Sequence, residues 1–549
     1  MRAPDTLLAS VPLFAGVAPE TLGSLATEAV TCEVLAGDWV FHQGDPADDL
    51  YVVVRGRLRV SVEADGERRD LNELGPGAAV GELALLTGSR RSASIRAVRD
   101  TALIRLPGAV FAEHLQRDPG LAASVARTLA RQVQDRGGLP LPEATPSLLV
   151  VRGLGVAPVA AFAESLRSAL ATLGTVALLS GGEGAEVERA ERAHRYVVLL
   201  DDESDTAWSA LCARQADRTL LVATGGASAT AEPHADLVVL GPFEGVELRR
   251  LLASVGPRAH HRLATTEPSD PGIRRLARRL VGRSLGVVLS GGGARGLAHV
   301  GVLQALEEEG IEVDRYGGCS MGALIAAMAS AGWRADVIAE QCRDELVRRS
   351  PFNDYTIPRV SLIRARKAER MLTRLFGELT IEELARPLFT VSADLLSSTL
   401  VVHRSGSVVE AVGASMSIPG LAAPLARGGR LLVDGGVLNN LPVDAMADAR
   451  EGPIVAVDVI RRIERDGGEK APLPSIMETL TRATVLASVE RAAANRALAL
   501  VVVSPEVQDV GLREFRALDR AVEAGRRAAR EALDAGGREA IERATGPLD

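Results

Sequence analysis

Three short runs in this chain carry groups suited to acyl transfer. Gly291-Gly292-Gly293-Ala294-Arg295-Gly296 follows the apolar stretch Leu285 to Leu289, so it can present a row of backbone N–H groups to an oxyanion at the start of a helix. Gly318-Cys319-Ser320-Met321-Gly322 reads as a strand-to-helix elbow exposing Ser320, because Val313 to Gly317 can end a strand and Ala323 to Ala329 is a good helix former. Gly318 and Gly322 permit the strained turn, and the helix start favours negative charge near the serine. Asp434-Gly435-Gly436, after the strand-like Leu431-Leu432-Val433, adds a carboxylate that its glycines allow to come close. With 54 glycines among 549 residues a lone G-x-S-x-G is weak. In this context the three runs predict a serine acyl hydrolase.

A second constellation lies near the N-terminus. Gly81-Glu82-Leu83-Ala84 and then Arg91-Ser92-Ala93-Ser94 supply a carboxylate for a ribose hydroxyl, an arginine for a cyclic phosphate and small residues that let backbone N–H groups approach. This resembles the phosphate-binding cassette of cyclic nucleotide-binding domains, with Glu82 at the ribose position, Arg91 at the phosphate position, and Ser92 and Ser94 where phosphate or base is contacted. Phe41 to Asp45 and Leu50 to Gly56 are similar to that family's barrel. The resemblance implies cyclic AMP or cyclic GMP as a regulatory ligand. An empty site is expected to leave Glu82 and Arg91 without partners.

The serine, the aspartate and the glycine loop together resemble the patatin-like phospholipases, which use a Ser/Asp dyad without a histidine. By that resemblance Ser320 is the nucleophile, Asp434 the general base, and Gly291 to Gly296 the oxyanion loop; catalysis then needs no cofactor. Ser415 to Gly420 and on to Pro424 is similar to the family's serine-proline block. The whole layout, including Phe352-Asn353-Asp354-Tyr355-Thr356-Ile357-Pro358, looks like the bacterial relatives of neuropathy target esterase. That resemblance implies phospholipid or lysophospholipid substrates.

Other readings compete. Gly291 to Gly296 satisfies G-x-G-x-x-G with Asp314 about 20 residues on, the pattern of a dinucleotide site, but this explains neither Ser320 nor Asp434. His299 or His403 could complete a Ser-His-Asp triad, although one falls on the helix after the glycine loop and the other in a strand-like run. Cys319 is a weaker nucleophile candidate, since its neighbour holds the elbow position. A catalytically silent, nucleotide-responsive binding protein is the remaining class. A transcription factor is disfavoured because no compact basic helix-turn-helix follows the cassette.

The elements that must position these groups fall into parts. Short β-rich runs with Gly and Asp turns from Val34 to Leu106, followed by helical patterns, predict a jelly roll with helices over 1–137. The run Gly137 to Pro142 marks a boundary. Five apolar runs, at 148–151, 176–179, 196–200, 220–222 and 237–240, predict a parallel α/β spacer domain over 145–256, to which no chemistry is assigned. A basic linker helix is expected in 257–284; Arg274 to Leu280 could lie on an anionic membrane, but a solvated face is the simpler reading. His260-His261 lacks metal-ligand partners, and no metal site is expected. An α/β hydrolase domain occupies 285–549, with its core at 287–447.

Composition sets the surroundings. A 47% hydrophobic share, 24% charged residues and no bilayer-length apolar run describe a globular chain. Met1 to Asp5 does not open a secretory signal, and four scattered cysteines fit reduced thiols, so a cytoplasmic location is expected, with peripheral contact at the inner membrane face. A net charge of -8 argues against nucleic acid as the main partner. Oligomeric state is not encoded in any readable pattern.

Overall fold

A computed structural model describes residues 8–9, 11–64, 67–136, 147–228, 230–243, 245–357, 359–460 and 476–547. The chain forms two compact units, one built on residues up to Leu240 together with Gly256–Ser269, the other on Gly241–Val255 and the residues from Asp270 onward. The break expected at Gly137 to Pro142, and Pro358, lie outside the described residues.

In the first unit eight strands make two antiparallel sheets of four, ordered β1-β8-β3-β6 and β2-β7-β4-β5. The strands are β1 (Val30–Val34), β2 (Trp39–Phe41), β3 (Asp49–Arg55), β4 (Leu58–Ala64), β5 (Glu67–Leu74), β6 (Ala79–Val80), β7 (Ser94–Ala97) and β8 (Thr101–Pro107). Alternation sets the two faces of β3: Leu50 and Val52 pack with Ile104, Leu106 and Phe111, whereas Val53 turns to Leu58, Ile95 and Leu103. The cassette helix α1 (Glu82–Thr87) follows β6, and α2 (Gly108–Arg117) follows β8. This is the jelly roll with helices that the sequence predicts.

The same unit holds a six-stranded, wholly parallel sheet ordered β10-β11-β9-β12-β13-β14. All five predicted runs are strands: β9 (Leu148–Leu154), β10 (Val176–Leu179), β11 (Tyr196–Asp201), β12 (Arg218–Ala223) and β13 (Asp236–Leu240). The sixth, β14 (Ala259–Leu263), corrects the reading of 257–284 as one basic linker helix. Its alternation turns His261 and Leu263 inward while the strand pairs with β13, so a polar sequence completes a sheet edge. Asp217, just before β12, accepts from Arg57 Nε at 3.0 Å and from the backbone N–H groups of Ser147 and Leu148. This buried pair binds the barrel to the parallel sheet.

The second unit is built on a mixed sheet in the order β19-β20-β17-β16-β15-β21-β22, with β18 beside β17. Its strands are β15 (Gly286–Leu289), β16 (Arg315–Gly318), β17 (Leu388–Asp394), β18 (Thr399–His403), β19 (Leu425–Arg427), β20 (Arg430–Asp434), β21 (Ile454–Val457) and β22 (Val501–Val503). Central strands β15, β16 and β21 are parallel and buried along their whole length, which requires helices on both faces. Five helices bear on the argument: α3 (Pro271–Leu280), α4 (Ala298–Glu308), α5 (Met321–Ser330), α6 (Val408–Ser415) and α7 (Leu518–Ala532). Helices α4 and α7 touch backbone to backbone, because a Cβ at Gly301 or Gly525 would overlap the other helix.

Helix α3 buries one face and ion-pairs most of the arginines on the other. Ile273, Leu276, Ala277 and Leu280 are buried, while Arg278 pairs with Asp314 and Glu312, Arg274 with Glu312, and Arg279 with Glu451. Its arginines neutralise carboxylates of its own unit. Among the described residues no helix is long and apolar enough to cross a membrane, and no cluster of side chains could hold a metal ion.

Candidate active site

Three chain reversals at the ends of β15, β16 and β20 meet at one place. After β15 the chain passes Ser290 and turns through Gly291 and Gly292 into the short 3-10 helix Gly293–Leu297, which leads into α4. Gly293 needs its glycine twice over: φ is +54°, and a Cβ would overlap the Leu512 carbonyl. After β16, Ser320 stands at the start of α5 with φ +54° and ψ −121°, backbone that L-residues avoid unless the surroundings enforce it. The surroundings do so: a Cβ at Gly318 would sit 2.6 Å from the Gly322 carbonyl carbon, and one at Gly322 would overlap Leu289 O at the end of β15. The Ser320 N–H donates to Ser415 Oγ at 2.9 Å, at the end of α6.

Asp434 ends β20, and its N–H donates to the Ser417 carbonyl at 2.9 Å. One carboxylate oxygen, Oδ1, accepts the Gly436 N–H at 2.8 Å and the Cys319 thiol at 3.6 Å. The bonds from Gly436 and Cys319 both fall on Oδ1. The Ser320 hydroxyl lies beside the same carboxylate and favours its charged form. Burial raises the Asp434 carboxyl to about 6, against the opposing pull of Ser320, Gly436 and Cys319. A proton acceptor of that strength is half-ionised just below neutrality.

The glycine loop has fewer free donors than its sequence offers. The Gly291 N–H is held by Asn440 O at 3.1 Å, Ala294 N–H by Leu512 O at 2.9 Å, and Arg295 N–H by Gly292 O at 3.2 Å. Ala294 therefore drops from the expected donor set, and so do Gly291 and Arg295. The N–H groups of Gly292 and Gly293 have no acceptor among the described residues. The Arg295 side chain braces the loop by donating to Val510 O and Gln508 O. Gly296 packs its Cα against Met321, where a Cβ would come within 2.6 Å of Cγ.

The competing readings lose their residues here. His299 is fully buried and donates Nε2–H to Ser290 O at 2.8 Å; burial lowers it to about 4, so it is neutral and turned to the backbone. His403 bonds Ser392 Oγ at 2.7 Å. Neither histidine is bonded to Ser320. Cys319 is buried, and burial together with Asp434 pushes its thiol well above its usual range, so no thiolate is at hand. Asp314, the would-be ribose acid, is buried against Arg278 and the Leu285 N–H. Sequence reasoning missed Asn440, whose side chain also donates to Gly291 O at 3.1 Å, and gave Ser415 and Ser417 no task. Only the serine-proline block hinted at the last two.

In the first unit, the cassette is folded in on itself. Glu82 and Arg91 are both buried, and Ser92 is exposed beside the half-buried Ala93. Leu83 and Ala84 belong to α1, and Ser94 Oγ accepts the Gln43 N–H at 2.9 Å. Arg91 lies over the Phe41 ring at 4.2 Å and donates to Asp49 O at 2.7 Å and Gly81 O at 3.1 Å. Gly81 has φ +90°, and a Cβ there would overlap the guanidinium. The expectation that an empty cassette strands its arginine is thus corrected: backbone carbonyls partner it.

Comparison with known proteins supplies an independent line. The model of the family "Patatin-like phospholipase" matches residues 287–447, and that of the "Cyclic nucleotide-binding domain" matches residues 31–118. An uncharacterized NTE family protein of Mycobacterium tuberculosis is 34% identical over 96% of this chain and 96% of its own length. Lysophospholipase nte1 of Neosartorya fischeri is 30% identical over 83% of this chain, which covers 37% of that protein. Among solved structures, the catabolite activator protein of Thermus thermophilus aligns with 29% of this chain and 68% of its own, at 30% identity and a TM-score of 0.22.

Proposed function

We propose, for a chain that belongs to the NTE family and carries its patatin-like phospholipase domain, that Ser320 and Asp434 hydrolyse carboxylic esters of phospholipids and lysophospholipids through an acyl-enzyme. The observation that carries this reading is the meeting of a strained, backbone-held serine with a buried carboxylate beside two unengaged N–H groups. Asp434 takes the Ser320 proton as the oxygen attacks the ester carbonyl. The N–H groups of Gly292 and Gly293, with the start of α5, receive the negative charge; one such donor is worth about 3 kcal/mol of barrier. Collapse expels the glyceryl alcohol, which takes up the proton from Asp434, and leaves the acyl group on Ser320. Water, giving a proton to the same carboxylate, attacks the acyl carbon; the Ser320 oxygen leaves with that proton from Asp434, and the fatty acid is released.

The test is fatty-acid release from a lysophosphatidylcholine, with the Ser320 peptide analysed by mass spectrometry after a rapid acid quench. Fatty acid together with an acylated Ser320 is expected. No release, or an acyl group on another residue, overturns the proposal.

Cys319 tunes the base. Its thiol donates to the charged carboxylate, so Cys319→Ala removes a bond that favours ionisation, and the Asp434 carboxyl should rise. The acidic limb of kcat/KM should move up by about half a pH unit on a dissolved nitrophenyl ester. Cys319→Ser, which keeps a donor, should leave the limb near the parent. A limb unmoved by Cys319→Ala would mean that the thiol only fills space.

The cassette is proposed to bind a cyclic nucleotide, with Glu82 on the ribose, Arg91 on the cyclic phosphate, and the backbone from Ser92 to Ser94 close to it. Arg91 must exchange two carbonyl acceptors for the phosphate, so binding would rearrange Asp49 and Gly81 as well. Arg91→Ala should weaken cyclic AMP or cyclic GMP binding by about 10- to 100-fold in calorimetry. Titrations that give the same heats for parent and variant would remove the nucleotide role. The proposed division of labour keeps parts at 1–137, 145–256 and 285–549, but the stretch 257–284 is divided, with β14 joined to the parallel sheet and α3 to the hydrolase unit.

A further inference from the structure

The run from Phe352 to Ile363 is left unused by catalysis, and its side chains are sorted in an unusual way. Tyr355 and Ile363 form an antiparallel bridge, and Thr356 N–H donates to Leu362 O at 3.0 Å, so the two arms of a hairpin are held together. At its root Ile363 is 1% exposed, in a small apolar cluster with Leu421 and Ala422. Beyond the root, apolar side chains face water: Ile357 is 79% exposed and Val360 72%, while Tyr355, at the root, accepts from Arg513 through its hydroxyl at 2.9 Å. Single exposed apolar residues are ordinary, but two strongly exposed aliphatic side chains three positions apart on one hairpin end ask for a use. The charge around them has one sign. From Asn353 to Lys367 the chain holds Arg359, Arg364, Arg366 and Lys367 against one acid, Asp354, whose Oδ2 is taken by the Lys367 backbone N–H at 3.2 Å.

We infer that this hairpin is a docking finger for a bilayer surface containing anionic lipid, seated beside the proposed active site; the inference rests on the lipid-hydrolase reading for its purpose. An element with aliphatic side chains at the tip, Arg359 among them, and Arg364, Arg366 and Lys367 after the root suits the headgroup boundary, where apolar groups enter and bases meet phosphate. Its position ties it to the chemistry. Leu362 N–H donates to Gly420 O at 3.0 Å and Ile363 N–H to Leu421 O at 2.9 Å. Those acceptors continue the same block in which Ser415 Oγ holds the Ser320 N–H and Ser417 O holds the Asp434 N–H. The finger therefore shares its footing with nucleophile and base.

The test is flotation of the full chain with vesicles of phosphatidylcholine alone and of phosphatidylcholine with about 30 mol% phosphatidylglycerol. The parent should float with the anionic vesicles, and high salt should weaken that binding. The double variant Ile357→Asp, Val360→Asp should bind at least tenfold more weakly and lose vesicle hydrolysis to match, while keeping its rate on a dissolved nitrophenyl ester. Arg359→Gln with Arg364→Gln should weaken binding about tenfold on anionic vesicles and leave neutral ones unchanged. A parent that floats with neither vesicle, or a double variant that floats like the parent, overturns the inference. So does a double variant whose change is lost self-association, which would assign the patch to a second copy. If vesicles bind but no ester of any kind is cleaved, docking stands and the hydrolase reading falls; the reverse result separates them the other way.

Discussion

Ser320→Ala should reduce ester hydrolysis by at least about a thousandfold, leaving only the rate that the glycine loop and substrate positioning supply without a nucleophile. The substitution is close to isosteric, and the positive φ at this position is borne by serine already, so the fold should persist. What disappears is the oxygen that forms the acyl bond, beside the Asp434 carboxylate. The measurement is kcat on a lysophospholipid and on a dissolved nitrophenyl ester, with circular dichroism to show that the variant is folded. Because Ser415 Oγ and the Ser320 N–H remain in place, substrate binding should survive in a folded, silent protein. Ester hydrolysis at the parent rate would remove Ser320 from the chemistry, and with it the mechanism.

Asp434→Asn carries the second large expectation, and it has two opposite signs. Activity should fall by about a thousandfold, because an amide cannot accept the serine proton. Stability should rise. Burial raises the folded carboxyl from 3.8 to about 6, so the folded state favours the protonated form. The favourable contribution is full below about pH 4 and is lost as pH climbs through 6. Above pH 7 the ionised carboxylate then costs the fold about 3 kcal/mol relative to a neutral group. Asparagine keeps a carbonyl oxygen for Gly436 N–H and Cys319, and carries no charge. Thermal unfolding at pH 8 should therefore come several degrees higher in the variant, with little difference near pH 4. In the parent, kcat/KM should fall below about pH 6 as Asp434 takes up its proton. A variant no more stable than the parent at pH 8 would mean that the carboxylate is not strained by its burial.

This opposition between stability and activity has a local cause. The base is useful because it is dry, and it is dry because Gly435 lets β20 lie against Val391, where a Cβ would come 2.5 Å from the Val391 carbonyl. Desolvation that weakens the folded state is what raises the carboxyl to a working value. Cys319 and Gly436 moderate that cost by donating to Oδ1.

Much of this site was legible in the chain because local backbone geometry dictates residue type. A turn at positive φ whose flanks touch a neighbouring strand admits glycine, so Gly318, Gly322 and Gly293 stand where the elbow and loop require them. Period-two alternation and short apolar runs marked the jelly roll and five strands of the parallel sheet, since those patterns follow from which face is buried. The family resemblance added the pairing of Ser320 with Asp434. Where a partner is a backbone carbonyl far along the chain, the sequence carries no mark, because every residue has one. Leu512 O and Asn440 O decided which N–H groups of the glycine loop stay free. Gly81 O and Asp49 O decided that Arg91 is already bonded, and Asp314 and Glu451 decided that Arg278 and Arg279 of α3 are paired. Ser415 and Ser417 hold the nucleophile and the base only because α6 ends beside β16 and β20. Residue type determined which groups could react, and long-range packing alone determined which of them are left free to do so.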